Sequence, residues 1–235
     1  MSNEVLVLSR ERWLNLLIRE LEVAILNVVQ NNIYFNLAIS GGNTPMLFFE
    51  KMAYNFINDK LWCTFAKYVN IFWVDERPVS QHSSQSNVGN ALKYLNNTGL
   101  NIFPINGESF DLHKEAENYQ NLIRKTIKVN ENCLPVFDLI LLGVGEDGHL
   151  ASLFPESNGL YENKKWVIAN WVPQLAQTRL TLTFPVILAS QHIWMLSNQQ
   201  KLGVIENVLD GKLKNLPINY LIDNYTQGIR WFISE

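Results

Sequence analysis

Strands and helices alternate along this chain, and three of the strands run straight into polar turns that carry glycine or clustered charge. Phe137 to Leu142 is nearly all apolar, the pattern of a strand whose sheet is covered on both faces. Tyr34 to Ile39, Val69 to Val74, Trp166 to Trp171, Leu180 to Thr183, His192 to Ser197 and Ile229 to Ile233 read as further strands. Helices are expected over about 11–30, after Thr44-Pro45, from Ser86 to Leu95, over about 111–128 and over about 199–209. In the first of these, Trp13, Leu16, Leu17, Leu21, Ala24 and Val28 build the apolar face, with Ser9 as the expected cap. Pro45 is expected at the first position of the second helix, where its missing N–H costs nothing. This order predicts an α/β fold with a largely parallel sheet and helices on both faces. No linker divides the 235 residues, so one domain over 1–235 is expected.

In such sheets a ligand binds beyond the carboxyl ends of the strands. The turns 40–44, 75–87 and 143–149 all sit at expected strand ends, which makes them the expected site. Composition limits the ligand. The net charge of -3, with 17% charged residues, lacks the basic excess that nucleic acid binding needs, yet permits a local cationic pocket for a small anion. The longest apolar stretches are broken by charge, as by Arg19, Glu20 and Glu22 between Leu16 and Val29, so no membrane span is expected. The opening Met-Ser-Asn-Glu does not read as a signal peptide, and a cytoplasmic location is expected. Cys63 and Cys133 lack a C-x-x-C partner and a histidine at metal-ligand spacing, and are expected to be buried free thiols.

Each turn has a chemical reading. In Ser40-Gly41-Gly42-Asn43-Thr44-Pro45, paired glycines allow close backbone approach, and the helix start beyond them offers N–H groups and a positive dipole end to a phosphate. An ordinary tight turn is the plainer alternative. No G-x-x-x-x-G-K-[ST] is present, so this is not a nucleotide P-loop. Ala38 to Gly42 loosely matches a serine-hydrolase elbow, but Ser40 serves equally as a phosphate ligand. Asp75-Glu76-Arg77-Pro78 carries too many charges for a packed core; Arg77 would bind an anion through its planar fork, and one acid would orient a ligand or the arginine. A solvated salt bridge in a loop is the alternative. Ser86-Asn87 ends the segment and either starts the next helix or touches ligand.

Gly143-Val144-Gly145-Glu146-Asp147-Gly148-His149 spells G-x-G-x-x-G, but Pro155 arrives too soon for the long helix of a dinucleotide fold. No acid in Trp166 to Trp171 stands ready for a ribose either. Of the four histidines, only His149 stands at an expected strand end among glycines with an acid two residues away. An imidazole, with an ordinary pKa of about 6.5, can take a proton from water near neutral pH. No second histidine is spaced for zinc, so His149 would act without metal.

Together, Ser-Gly-Gly-Asn-Thr-Pro, Asp-Glu-Arg with Ser-Asn about ten residues on, and Gly-Val-Gly-Glu-Asp-Gly-His-Leu-Ala-Ser-Leu-Phe-Pro resemble the 6-phosphogluconolactonases, relatives of the glucosamine-6-phosphate isomerases and deaminases. The resemblance runs nearly the full chain and includes Arg179 to Pro185 and Lys201. It implies a single Rossmann-like three-layer α/β/α domain that hydrolyses 6-phosphogluconolactone without metal or other cofactor in the oxidative pentose phosphate pathway. It matches His149 to the family's catalytic histidine and puts Gly41, Gly42, Arg77, Arg179 and Lys201 at the substrate and its phosphate. On this basis the whole 41–44 turn, with Asn43 and Thr44, is expected at the phosphate, and Asp147 or Asp75 is expected to orient the base. The expected partner is a small sugar phosphate lactone, with no nucleic acid or membrane, and a monomer is expected. Leu150, Asn43 and Gln85 depart from the family's usual threonine, serine and acid, and leave the expected base and cations in place.

Two rivals stand against this. An amino-sugar phosphate deaminase would carry tyrosine after the Asp-Glu pair and Phe-Asn-Glu-Pro where this chain has Ser152-Leu153-Phe154-Pro155. A non-catalytic sugar-phosphate sensor would need an added DNA-binding segment, and only about ten residues without a basic arm precede the first expected helix.

Overall fold

The computed structural model describes residues 3–30 and 33–235. In chain order its strands are β1 (Glu4–Leu8), β2 (Phe35–Ile39), β3 (Val69–Trp73), β4 (Asp75–Glu76), β5 (Asn101–Phe103), β6 (Leu139–Leu142), β7 (Val167–Val172), β8 (Gln177–Leu182), β9 (Ile193–Asn198) and β10 (Arg230–Ser234). Among the described residues, seven of them form one sheet in the order β1-β10-β9-β6-β2-β3-β5. Every pairing in it is parallel. Helices flank this sheet, so the fold is the expected α/β arrangement. The central strands β2, β3 and β6 are buried at every position, which is why their sequences are apolar without alternation.

The register sets up the site. Ile39 pairs with Trp73, and Leu142 pairs with Met195. The carboxyl ends of four adjacent strands therefore lie along one rim. The turns after β2, β3 and β6, and the segment after β9 that carries Lys201, all leave from that rim.

Several expectations need correction. Trp166 to Trp171 and Leu180 to Thr183 do not join the parallel sheet. β7 and β8 form an antiparallel hairpin, and with β4 they make a separate sheet in the order β4-β8-β7. Their link is only Pro173–Leu175 and a left-handed Ala176, far too short for the crossover that parallel neighbours require. Three short strands, β1, β4 and β5, were not expected; β4 falls in a segment read as a polar loop, and β1 and β5 lie at the edges of the main sheet, where partial exposure blurs the apolar pattern. Ser9 occupies the cap position of helix Arg10–Val29, but its side chain makes no capping hydrogen bond. Pro45 caps helix Met46–Asn58 from outside rather than opening it. By contrast Ser86 caps helix Asn87–Leu95 as expected, accepting from the Gly89 N–H at 2.9 Å. Cys63 and Cys133 are exposed, not buried.

At the amino ends of the strands, away from the rim, Asp138 Oδ2 accepts from the Asn36 N–H at 2.7 Å and from Asn36 Nδ2 at 3.3 Å. Burial nonetheless pushes the Asp138 carboxyl above its ordinary value of 3.8. The folded chain then holds this proton more tightly than the unfolded chain does. The resulting stabilisation is present below 3.8 and is lost as pH rises through the raised folded value. Urea unfolding at stepped pH should show the wild type losing stability relative to Asp138→Asn over that window. A difference that stays flat with pH would contradict burial as the dominant influence.

Candidate active site

The chain crosses from the parallel sheet into the antiparallel one between Trp73 and Asp75, and this step buries two adjacent carboxylates. Asp75 pairs with Thr181 and Glu76 with Leu180. Their relative exposures are 4% and 1%, which overturns the expectation that such charge must stay out of the packed interior. The physical reason is that both are saturated with donors. Glu76 accepts from the backbone N–H groups of Arg77 (2.7 Å), Asn87 (2.8 Å) and Val88 (2.7 Å), and from Ser86 Oγ at 2.9 Å. Burial raises the pKa of its carboxyl, and these four hydrogen bonds oppose that rise. Glu76 therefore pins both ends of the 77–87 segment to one point. Asp75 accepts from Ser152 Oγ at 2.7 Å and from Asn87 Nδ2 at 3.0 Å.

The turn after β6 carries His149. The Gly145 N–H donates to the His149 carbonyl at 3.0 Å, which folds the turn back on itself. His149 Nδ1 lies 2.6 Å from Asp147 Oδ1. A carboxylate can only accept, so Nδ1 carries a proton, and in the neutral ring Nε2 then keeps the lone pair. The same Asp147 oxygen also accepts the His149 backbone N–H at 3.2 Å. Of the two acids expected to orient the base, Asp147 makes the contact, while the Asp75 carboxylate is engaged by Ser152 and Asn87. The imidazole is 28% exposed.

Gly41 to Thr44, Asp75, Arg77, His149 and Lys201 line one cleft of about 200 Å³ at the rim of the sheet. Gly41 is needed for close approach, because a Cβ there would overlap the amide of Asn87. Ser40 Oγ donates to the Leu141 carbonyl at 2.6 Å, so it is tied to the backbone rather than poised against His149 as a nucleophile. Arg77 donates through Nη1 to the Gln85 carbonyl at 2.6 Å. Its buried Nε finds no hydrogen-bond partner among the described residues. Lys201 Nζ lies 2.7 Å from Glu146 Oε1, and the lysine holds that carboxyl below the usual range.

Arg179 does not line this cleft. Its guanidinium carbon lies 5.5 Å from the centre of the Phe154 ring, and Nε donates to Gln177 Oε1 at 3.1 Å. Burial, and next the charge of Arg77, lower its pKa; the two guanidinium groups are thus close enough to repel. Asn87, expected either to start a helix or to touch ligand, opens helix Asn87–Leu95, lines the cleft and bridges the Asp75 end of the sheet to the glycine turn. Phe154, which stacks on His149, had no role in the sequence, and only side-chain geometry gives it one. No group of His, Cys, Asp and Glu among the described residues is arranged to hold a metal ion. No helix among them is long and apolar enough to cross a membrane.

Comparison with known proteins agrees with the motifs. The family described as glucosamine-6-phosphate isomerases/6-phosphogluconolactonase matches residues 9–231. The chain is 36% identical over 208 residues to the 6-phosphogluconolactonase of Chlamydia pneumoniae, covering 85% of this chain and 75% of that protein. It is 34% identical over 168 residues to the 6-phosphogluconolactonase of Chlamydia muridarum, covering 70% of this chain but only 61% of that longer protein. A crystal structure of a 6-phosphogluconolactonase from Shewanella baltica superposes with a TM-score of 0.83 over 100% of this chain and 98% of that one. At 21% identity that likeness speaks for the fold alone.

Proposed function

Since the chain belongs to the glucosamine-6-phosphate isomerase/6-phosphogluconolactonase family, we propose that it hydrolyses 6-phosphogluconolactone to 6-phosphogluconate, with His149 as general base. The observation that carries this reading is the shared cleft: an imidazole with its Nε2 lone pair free, two cations and a glycine turn face one space. The phosphate binds between the 41–44 turn and the cations Arg77 and Lys201, where it takes the place of the exposed Glu146 carboxylate on Lys201. Arg179, close enough to Arg77 to repel it, adds positive potential. Anchoring the phosphate spends remote binding energy on holding the lactone carbonyl near the base.

In the reaction, His149 Nε2 takes a proton from water as the water oxygen bonds to the lactone carbonyl carbon. Asp147 keeps Nδ1 protonated and stabilises the imidazolium that forms. The bond from that carbon to the ring oxygen then breaks, and the imidazolium returns its proton to the departing oxygen. Water is consumed and one carboxylic acid is made. The step needs no metal or organic cofactor. The reading also puts the enzyme in the cytoplasm, acting as a monomer in the oxidative pentose phosphate pathway.

The amino-sugar deaminase is the nearest rival, and one contact weighs against it. Its expected Phe-Asn-Glu-Pro would put a glutamate at position 154, where this chain packs a phenyl ring against His149. The test is a pair of assays on the purified chain: acid release from freshly prepared 6-phosphogluconolactone, and ammonia release from glucosamine 6-phosphate. Acid release well above spontaneous hydrolysis is expected, with no ammonia. Ammonia release, or tight binding of 6-phosphogluconate without turnover of the lactone, would overturn the reading.

A further inference from the structure

Phe154 is 4% exposed and does not line the cleft, yet it touches two groups that do the work proposed above. Its ring stacks face to face on the His149 imidazole, with centroids 3.8 Å apart and planes inclined by 16°. The Arg179 guanidinium carbon lies 5.5 Å from the centre of the same ring, within cation–π range. We infer that Phe154 is a positioning residue: its ring fixes the plane of the His149 imidazole and holds the Arg179 guanidinium near Arg77, so one side chain sets both base and cation. This rests on the lactonase reading of the site.

The hydrogen bond from Nδ1 to Asp147 fixes one point on the edge of the imidazole and leaves the ring free to tilt about it. A tilt swings the Nε2 lone pair, which lies in the ring plane, away from the water it must deprotonate. Face contact with Phe154 removes that freedom. On its edge the imidazole is confined by Gly145, where a Cβ would overlap Nδ1 and Cε1. Hydrogen bond, face and edge together leave a single orientation. The π face also favours the positive charge that His149 acquires as water loses its proton.

Two measurements test this. Protons held over an aromatic face are shielded, so in proton NMR the ring C–H signals of His149 should lie upfield of those of an exposed histidine. The chain has only four histidines, and His149→Asn identifies the signals by their loss. In Phe154→Leu, which keeps apolar bulk, the signals should move downfield. There kcat should fall about tenfold, short of the roughly 10² that a full ångström of misplacement costs. KM should rise only about two- to fivefold, the worth of a surface cation–π contact at Arg179. Phe154→Tyr keeps the ring and should restore most of kcat. Unshifted His149 signals in the wild type would overturn the stack whether or not the chain hydrolyses lactone, and whether or not the leucine variant folds. Shifted signals with kcat unchanged in Phe154→Leu would overturn the positioning role.

Discussion

Replacing His149 by asparagine is expected to cut kcat on 6-phosphogluconolactone by about 10²–10⁴-fold, the worth of a positioned general base, while the chain stays folded. Asparagine is close in size and can still offer an N–H toward Asp147, so the turn has no reason to collapse. It offers no basic nitrogen in the place of Nε2. The 41–44 turn, Arg77 and Lys201 are untouched and lie elsewhere in the cleft, so KM should hardly move. A loss confined to kcat marks an interaction made only in the transition state. Because the lactone hydrolyses by itself in water, the rate must be taken as enzyme-dependent acid release at early times on fresh substrate. A variant within about tenfold of wild type would remove His149 from the mechanism, since a base worth so little falls below the usual range.

The reason the sequence reading reached this residue lies in what turns require. Consecutive glycines and charges at a strand end are hard to explain by packing, so residues 40–44, 75–77 and 143–149 stood out, and the parallel register does bring all three to one rim. What stayed hidden depended on partners distant in the chain. The burial of Asp75 and Glu76 could not be inferred from two adjacent acids. It is tolerated only because Ser152 Oγ, Ser86 Oγ and the amide groups near Asn87 arrive as donors. The antiparallel pairing of β7 and β8 was masked by the surrounding alternation, although the tight Pro173 turn was its one local sign. Arg179, placed at the substrate by resemblance alone, is near Arg77, but it does not line the cleft and rests on an aromatic ring.

Gly145→Ala should lower kcat by about 10² or more with little loss of stability, and that separation makes it the sharper test of the site's geometry. The added methyl would overlap Nδ1 and Cε1 of His149 and would sit 2.7 Å from Asp147 Oδ1. Something must yield, and the imidazole, partly open to solvent at 28% exposure, can swing outward, where water replaces its exposed bond to Asp147. Once it swings, its bond to Asp147 and its stack on Phe154 are both lost. Gly145 is not among the described residues with positive φ, so alanine needs no strained backbone there. Alanine also narrows the unfolded ensemble, which offsets roughly 0.4–1 kcal/mol of any strain. The melting temperature should therefore stay within about 4 °C of wild type, equivalent to about 1 kcal/mol for a chain of this size. The decisive comparison is the double variant. If the methyl acts only by displacing the base, Gly145→Ala added to His149→Asn should change kcat no further, because the group it displaces is already gone. Independent, multiplying losses would mean that the glycine serves the substrate directly, and the proposed link from turn to base would have to be abandoned.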